Sequence, residues 1–265
     1  MGKKTKDGDS KKSSIPSKRL SLILQDVSYL LNRGYDKRRA IDFVASRYLL
    51  DQSLRNFIFR TMSSTNLANQ TKAKLLPVEQ LQDQTIGVDG FNILITLQEM
   101  FQKKPVYLCY DHVIRDISGN YGRFLDEKAG KEAIQTLITV LRNLPLNRFT
   151  IFLDEPVSHS GKVAGKLRDE LASQIKEHSH GVLSNDFQLT RTVNTVKSPD
   201  YELRKFDVVA SHDSIVIQKA KHVFDIPRHA MTCGLLSPTI VNIRSLLEGS
   251  GAIPDELKGK TVDFR

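Results

Sequence analysis

Four apolar runs in the sequence each stop on an aspartate: Ile86-Gly87-Val88-Asp89, Val106-Tyr107-Leu108-Cys109-Tyr110-Asp111, Thr150-Ile151-Phe152-Leu153-Asp154 and Val208-Val209-Ala210-Ser211-His212-Asp213. Short apolar runs that end at turn-forming residues read as buried strands. If the four are parallel neighbours in one sheet, their carboxyl ends share the edge at which open α/β sheets bind ligands. Carboxylates gathered there repel one another unless a cation lies between them. Hard, oxygen-preferring Mg²⁺ or Mn²⁺ suits such a donor set, and these ions clamp phosphates, so the pattern points to metal-dependent phosphodiester chemistry. The plainer explanation is that Asp ends strands because it suits turns. One such ending carries nothing; four in one chain favour a shared site.

Within these runs Val88-Asp89-Gly90-Phe91-Asn92 is the sharpest motif. Gly90 permits a sharp turn and close ligand approach, and Asn92 either bonds a metal-bound water or phosphate or caps the next helix. Asp111 and Asp116 flank Arg115. That grouping suits one metal and one phosphate oxygen, or an ordinary salt bridge. Ser158 and Ser160 precede a predicted helix whose free N–H groups would bind phosphate, unless a serine is simply its N-cap. His178 and His180 have no Cys or third His at zinc spacing and are expected in a solvated loop. His212 alternates with its neighbours and is expected on the opposite strand face, where a general-base role has little support. There is neither a P-loop nor a G-x-G-x-x-G sequence, which argues against NTPase and dinucleotide redox chemistry.

Asp89-Gly90-Phe91-Asn92 and the late Ser211-His212-Asp213 resemble the opening and closing motifs of the PIN-like nuclease superfamily, particularly its NYN branch. Asp154 looks like that family's central carboxylate. The resemblance spans roughly residues 84–232. It implies a Rossmann-like three-layer fold and Mg²⁺- or Mn²⁺-dependent cleavage, usually of RNA. The site residues it implies are Asp89, Asn92, Asp154 and Asp213, with Ser211 at the substrate and Asp111 or Asp116 supporting the metal. The family usually has a further acidic residue just before its last motif; Asp200 or Glu202 would fill that place, with Asp111 and Asp116 as the other choices. The chain also resembles a prokaryotic two-module family in Leu30–Tyr35, Val88–Asn92, Ile114–Asp116 and Leu153–Gly161, which implies a layout but no activity.

The elements that must position these residues can be read from periodicity. Leu20, Ile23, Leu24, Val27, Leu30 and Leu31 lie on one face of a helix that Gly34 stops. Asp36 and Asp51 can cap two more helices, with stripes at Ala40, Ile41, Val44, Ala45, Tyr48 and at Leu54, Phe57, Ile58, Met62. Residues 15–63 therefore form a small helical module of helix-turn-helix size, after a disordered tail at 1–14 and before a polar linker at 64–83. From 84 to 265 strands alternate with helices. The expected fold class is α/β: a Rossmann-like, mostly parallel sheet covered by helices, preceded by a small all-α module. Strands are expected at 85–89, 106–111, 149–154 and 207–213, with an extended run at 188–196. Helices are expected at 92–101, 128–144, from 160, from 213 to 221, and at 238–248.

The formal net charge is +9. Residues 1–72 hold 15 Lys and Arg against 6 Asp and Glu, while the remainder is balanced at 24 of each. All the excess thus lies in the first quarter, as expected of a surface that meets a polyanion. Arg33, Arg38, Arg39 and Arg55 are its candidate phosphate contacts, against the alternative of a merely solvated basic face. Two cysteines, Cys109 and Cys233, provide no disulfide framework, and no run is long enough to span a membrane. The expected protein is cytoplasmic and meets nucleic acid, RNA foremost. It would be a metal-dependent endoribonuclease, with a catalytically inactive nucleic-acid binder or a small-molecule phosphatase as alternatives.

Overall fold

A computed structural model describes residues 17–118, 128–178 and 191–252, together with residue 254. The basic tail at 1–14, residues 188–190 and His180 lie outside the described residues. The helical module forms as its periodicity requires: α1 (Ser17–Asn32), α2 (Lys37–Tyr48) and α3 (Gln52–Thr61). Gly34 ends α1 with φ at +84°, a conformation that L side chains resist. The Asp36 carboxylate accepts the Arg39 N–H at 3.0 Å, and Asp51 accepts that of Leu54 at 2.8 Å. Both predicted caps are in place. The stretch expected as a linker instead contains α4 (Thr65–Lys74), capped by Ser64, and a 3₁₀ turn at Val78–Leu81. Only Ala68 and Thr71 of α4 are buried, too thin a stripe to announce a helix by periodicity.

The sheet that follows has five strands, all parallel, in the order β5-β4-β1-β6-β7. Its members are β1 (Gln84–Asp89), β4 (Leu146–Asp154), β5 (Arg191–Val196), β6 (Val208–Ala210) and β7 (His222–Val223). The helices after these strands include α5 (Gly90–Phe101), α6 (Lys128–Asn143) and α7 (Ser160–His178), and α5 and α6 pack their apolar faces on the central strands. Shorter helices are α8 (Pro199–Leu203), α9 (Ser214–Lys219), α10 (Ile226–Thr232) and α11 (Ile243–Leu247). The fold class is the expected one, an α/β sheet flanked by helices and preceded by an all-helical region. Gly90 serves close packing rather than a left-handed turn. A Cβ there would lie 2.6 Å from Leu153 Cδ2 and 2.9 Å from the Phe152 carbonyl oxygen, so only glycine lets α5 start against β4.

Two further expectations fail. The run 106–111 is not a strand of the main sheet. Only Val106–Leu108 is extended, as β2 of a second, three-stranded sheet in which it lies between β3 (Ile114–Arg115) and β8 (Ile240–Asn242). The helix expected over 238–248 begins as β8, with only Ile243–Leu247 helical, because Val241 is drawn into register with Tyr107. This second sheet joins the two modules. Tyr107, Cys109, Val241, Ile243 and Leu246 share one core with α1–α3, and the Phe57 and Tyr107 rings meet edge-on at 5.4 Å. Ser21 Oγ and Gln25 Nε2 both donate to the Leu247 carbonyl. The helical module is therefore built into the α/β unit rather than tethered beside it.

Candidate active site at the carboxyl edge of the sheet

Register places the first two motif residues side by side. Val88 pairs with Ala210, so the next residues along, Asp89 and Ser211, leave their strands together. Ser211 Oγ donates to Asp89 Oδ2 at 2.8 Å, and Asn92 Nδ2 donates to the same oxygen from the first turn of α5. Asp154 ends β4, the neighbour on the other side of β1. Asp213 caps α9 after β6, its Oδ1 accepting the N–H groups of Ile215 at 2.7 Å and Val216 at 3.0 Å. Asp200 joins them from the first turn of α8.

These carboxylates sense one another. Asp89 is only 2 % exposed, and its pKa is raised to about 6, chiefly by burial and further by the charges of Asp154 and Asp200, against the hydrogen bonds from Asn92 and Ser211 that lower it. Burial and then Asp200 push Asp154 up, while burial and then Asp213 push Asp200 up. Among the described residues none of the four makes an ion pair. An all-oxygen, like-charged donor set of this kind fits a hard divalent cation. No group of three or more His, Cys, Asp or Glu among the described residues is gathered closely enough to hold one as it stands.

The remaining acidic candidates are accounted for by cations. Asp111 grips Arg115 with both oxygens, at 2.6 and 2.7 Å, and Arg115 Nε donates to the His212 carbonyl at 2.8 Å. Burial pushes Asp111 up, but the guanidinium overrides it and holds the carboxyl below its ordinary value. Arg115 is itself buried, so it is a structural clamp between the second sheet and β6 and not the expected phosphate ligand. Asp116 is buried beside Arg60 and accepts Thr96 Oγ1, Ser118 N and Ser118 Oγ, each at 2.9 Å. It too is no metal ligand here. Glu202 pairs with Lys205 at 2.6 Å, which leaves Asp200 as the fourth edge carboxylate. Sequence alone could not choose, because spacing in a short helix does not reveal which acid already has a partner.

Other expected contacts also change. Ser211 is buried and bonded to Asp89, so it positions that carboxylate instead of facing a substrate. Ser160 is buried and donates to the Glu155 carbonyl at 3.1 Å, locking its own loop, whereas Ser158 is exposed. Arg55 holds the Leu50 carbonyl and Asp42 within the module. Arg33, Arg38 and Arg39 are exposed. Arg33 lies over the Tyr29 ring at 4.9 Å and Lys37 over Phe59 at 4.9 Å, cation–aromatic pairs of the sort that receive nucleotides. Asp225, buried after β7 and bonded to Ile114 N and Arg228, was not singled out by sequence; it ties β7 to β3.

His212 lies past the end of β6, where strand alternation no longer decides its direction, and its ring reaches Thr96 of α5. It is buried, with Nδ1 3.0 Å from Thr96 Oγ1 and Nε2 without a hydrogen-bond partner among the described residues. Burial and then Arg115 depress its pKa to about 3, so it is neutral and a poor general base.

A family described as "Domain of unknown function (DUF5616)" matches residues 78–229, and one described as "Protein of unknown function (DUF434)" matches residues 19–74. The uncharacterized protein MJ0935 of Methanocaldococcus jannaschii is 34 % identical over 209 residues, covering 78 % of this chain and 94 % of its own length. The chain belongs to the DUF5616 family. No solved structure matches it. The division between the DUF434 and DUF5616 matches, at 74–78, falls just after α4, so that helix goes with the helical module. A cavity of about 440 Å³ opens between the two matched segments of this DUF5616 chain. Tyr35, Lys37 and Phe59 line it from the DUF434 side, and Asn92, His212 and Asp213 from the DUF5616 side.

Proposed function

We propose that this protein is a divalent-cation-dependent phosphodiester hydrolase, an endoribonuclease in the first instance, acting at the carboxyl edge of its parallel sheet. One observation carries the reading. Asp111, Asp116 and Asp225, all buried, each pair with an arginine, whereas the edge group Asp89, Asp154, Asp200 and Asp213 has no cation within ion-pair distance among the described residues, Arg204 and Lys219 acting on Asp200 only from farther away. Unneutralised like charges raise the energy of the fold, and such destabilisation is typical of a site waiting for a cation and an anionic substrate.

Asp89, Asp154, Asp200 and Asp213 would hold the ion. When bound, a Mg²⁺ or Mn²⁺ ion supplies neutralisation of phosphate charge and activation of water. The chain's own residues supply the orientation. Ser211 and Asn92 fix one Asp89 oxygen, and two backbone N–H groups fix one Asp213 oxygen, so the other oxygen of each has a set direction. The exposed cations of α1 and α2 would hold the flanking strand by its phosphates. Nucleic acid, and RNA within that class, is the partner these cations and rings support best.

A second reading has its own support. Because no three acidic side chains among the described residues are gathered closely enough to hold a metal as they stand, a protein that binds nucleic acid without cutting it also fits the edge. Labelled single-stranded RNA and DNA incubated with Mn²⁺, Mg²⁺ or EDTA separate the two. The hydrolase reading predicts cleavage that EDTA abolishes. Retained binding with no cleavage under either ion leaves the binder.

A further inference from the structure

We propose that the cavity between the helical and α/β modules is a subsite for one nucleoside phosphate, with its phosphate on Lys37 and its base against Tyr35 and Phe59. The inference deepens the nucleic-acid reading above and rests on it for the direction of the strand.

Three features of the cavity carry it. Its volume of about 440 Å³ is within the range of small-molecule sites, ~300–1,000 Å³. Among its charged lining groups Lys37 is the one cation, and Asp213 the one carboxylate, left without an ion pair among the described residues. Arg60 is held by Asp116 and Arg115 by Asp111, while no carboxylate lies within ion-pair distance of Lys37 among the described residues. Burial and then the neighbouring Arg115 lower the Lys37 pKa to about 8, against smaller opposing pulls from Asp111 and Asp213, the mark of an ammonium that has lost water without a counter-ion in direct contact. An incoming phosphate supplies that counter-ion.

The third feature is the rim. Tyr35 and Phe59 are large apolar side chains left 60 % and 46 % exposed, and Lys37 Nζ lies 4.9 Å from the Phe59 ring centre. A cation beside open aromatic faces is the arrangement on which bases stack without regard to sequence. Asn92 and Asp213 line the cavity and also belong to the acidic edge, so a nucleotide seated here places its strand neighbour towards the carboxylates. A cut site completed by both modules follows.

The test measures binding with the full chain in a chelator, so that catalysis plays no part. The probes are AMP, a short single-stranded oligoadenylate and a duplex of equal length. Lys37→Met should weaken oligoadenylate binding about tenfold and lower its salt slope by about one phosphate, and Lys37→Arg should restore both. Tyr35→Ala, at an exposed position that folding does not need, should weaken binding at least fivefold, roughly the lower end for loss of one stacked base, with the slope unchanged. AMP that displaces the oligonucleotide, with the same dependence on Lys37, shows a pocket open to free nucleotide. Negligible AMP binding beside a Lys37-dependent oligonucleotide shows a subsite of the strand. Binding indifferent to both substitutions, or equal for duplex and single strand, overturns the proposal. Asp89-dependent cleavage with such indifferent binding would sink the subsite alone, and Lys37-dependent binding without any cleavage would sink the hydrolase alone.

Discussion

Replacing Asp89 by Asn should flatten the dependence of stability on pH. In the fold Asp89 titrates near 6, raised from 3.8 mainly by burial. A carboxyl whose folded pKa lies above its unfolded one keeps its proton in the native state. Its contribution is therefore most favourable below pH 3.8 and is lost as pH rises to 6 and beyond. The shift of about 2 units corresponds to about 3 kcal/mol between pH 4 and pH 7. At ~2–4 °C per kcal/mol for a chain of this size class, the wild type should lose roughly 6–12 °C relative to Asp89→Asn across that interval. Asparagine can still accept from Ser211 and Asn92. Its extra N–H pair, buried without an assigned partner, offsets the baseline by about 1–3 kcal/mol, so the relative slope is the diagnostic quantity. His212 has the opposite sign, gaining stability as pH rises through the range between 3 and 6.5, but it is common to both proteins and cancels in the comparison. Differential scanning fluorimetry in chelated buffer from pH 4 to 8 measures the slope. Parallel curves would refute the idea that Asp89 is held ionised at a cost.

The remaining predictions concern structure and the module. Arg115→Met leaves Asp111 buried without its cation and should cost about 3–5 kcal/mol in urea denaturation; a loss of RNA affinity with unchanged stability would instead return Arg115 to the substrate. Deleting residues 1–72 should yield aggregated protein, because it strips α1–α3 from a core shared with Tyr107 and Ile243; a soluble, cooperatively melting product would show the modules to be independent. The paired substitution Arg38→Glu and Arg39→Glu, both exposed, should leave the melting temperature nearly unchanged and lower the salt slope of RNA binding by about two phosphates. A slope equal to that of the wild type would move those contacts elsewhere.

Much of the architecture is legible because it rests on local signals. The α2 and α3 caps and the central strands are announced by residues adjacent in sequence, and the structure places them there. Long-range pairing is not announced that way. Val106–Asp111 has the same apolar run and terminal aspartate as its counterparts, yet β2 pairs with β8, more than a hundred residues later. β8 itself hides in a helix-like stretch because its pattern in the structure is exposed–buried–exposed over only three residues. The same limit governs the site. Asp89, Asp154 and Asp213 are read correctly to one edge, but a sequence does not show that Arg115 and Arg60 already neutralise Asp111 and Asp116. Nor does it show that Glu202 is paired and Asp200 is not.

That last distinction gives the most direct test of a hydrolytic site built from unpaired carboxylates. Single-turnover cleavage of single-stranded RNA should be compared for wild type, Asp200→Asn and Glu202→Gln, with Mn²⁺ in excess. The two acids are two residues apart on one short helix, so nonspecific effects on charge and folding are nearly matched. Asp200→Asn should slow cleavage at least a hundredfold, by analogy with removal of other electrostatic catalytic groups at about 3 kcal/mol, while Glu202→Gln stays within about threefold of wild type, about 0.7 kcal/mol or less. Equal rates for wild type and Asp200→Asn, or a larger loss for Glu202→Gln, would contradict the account.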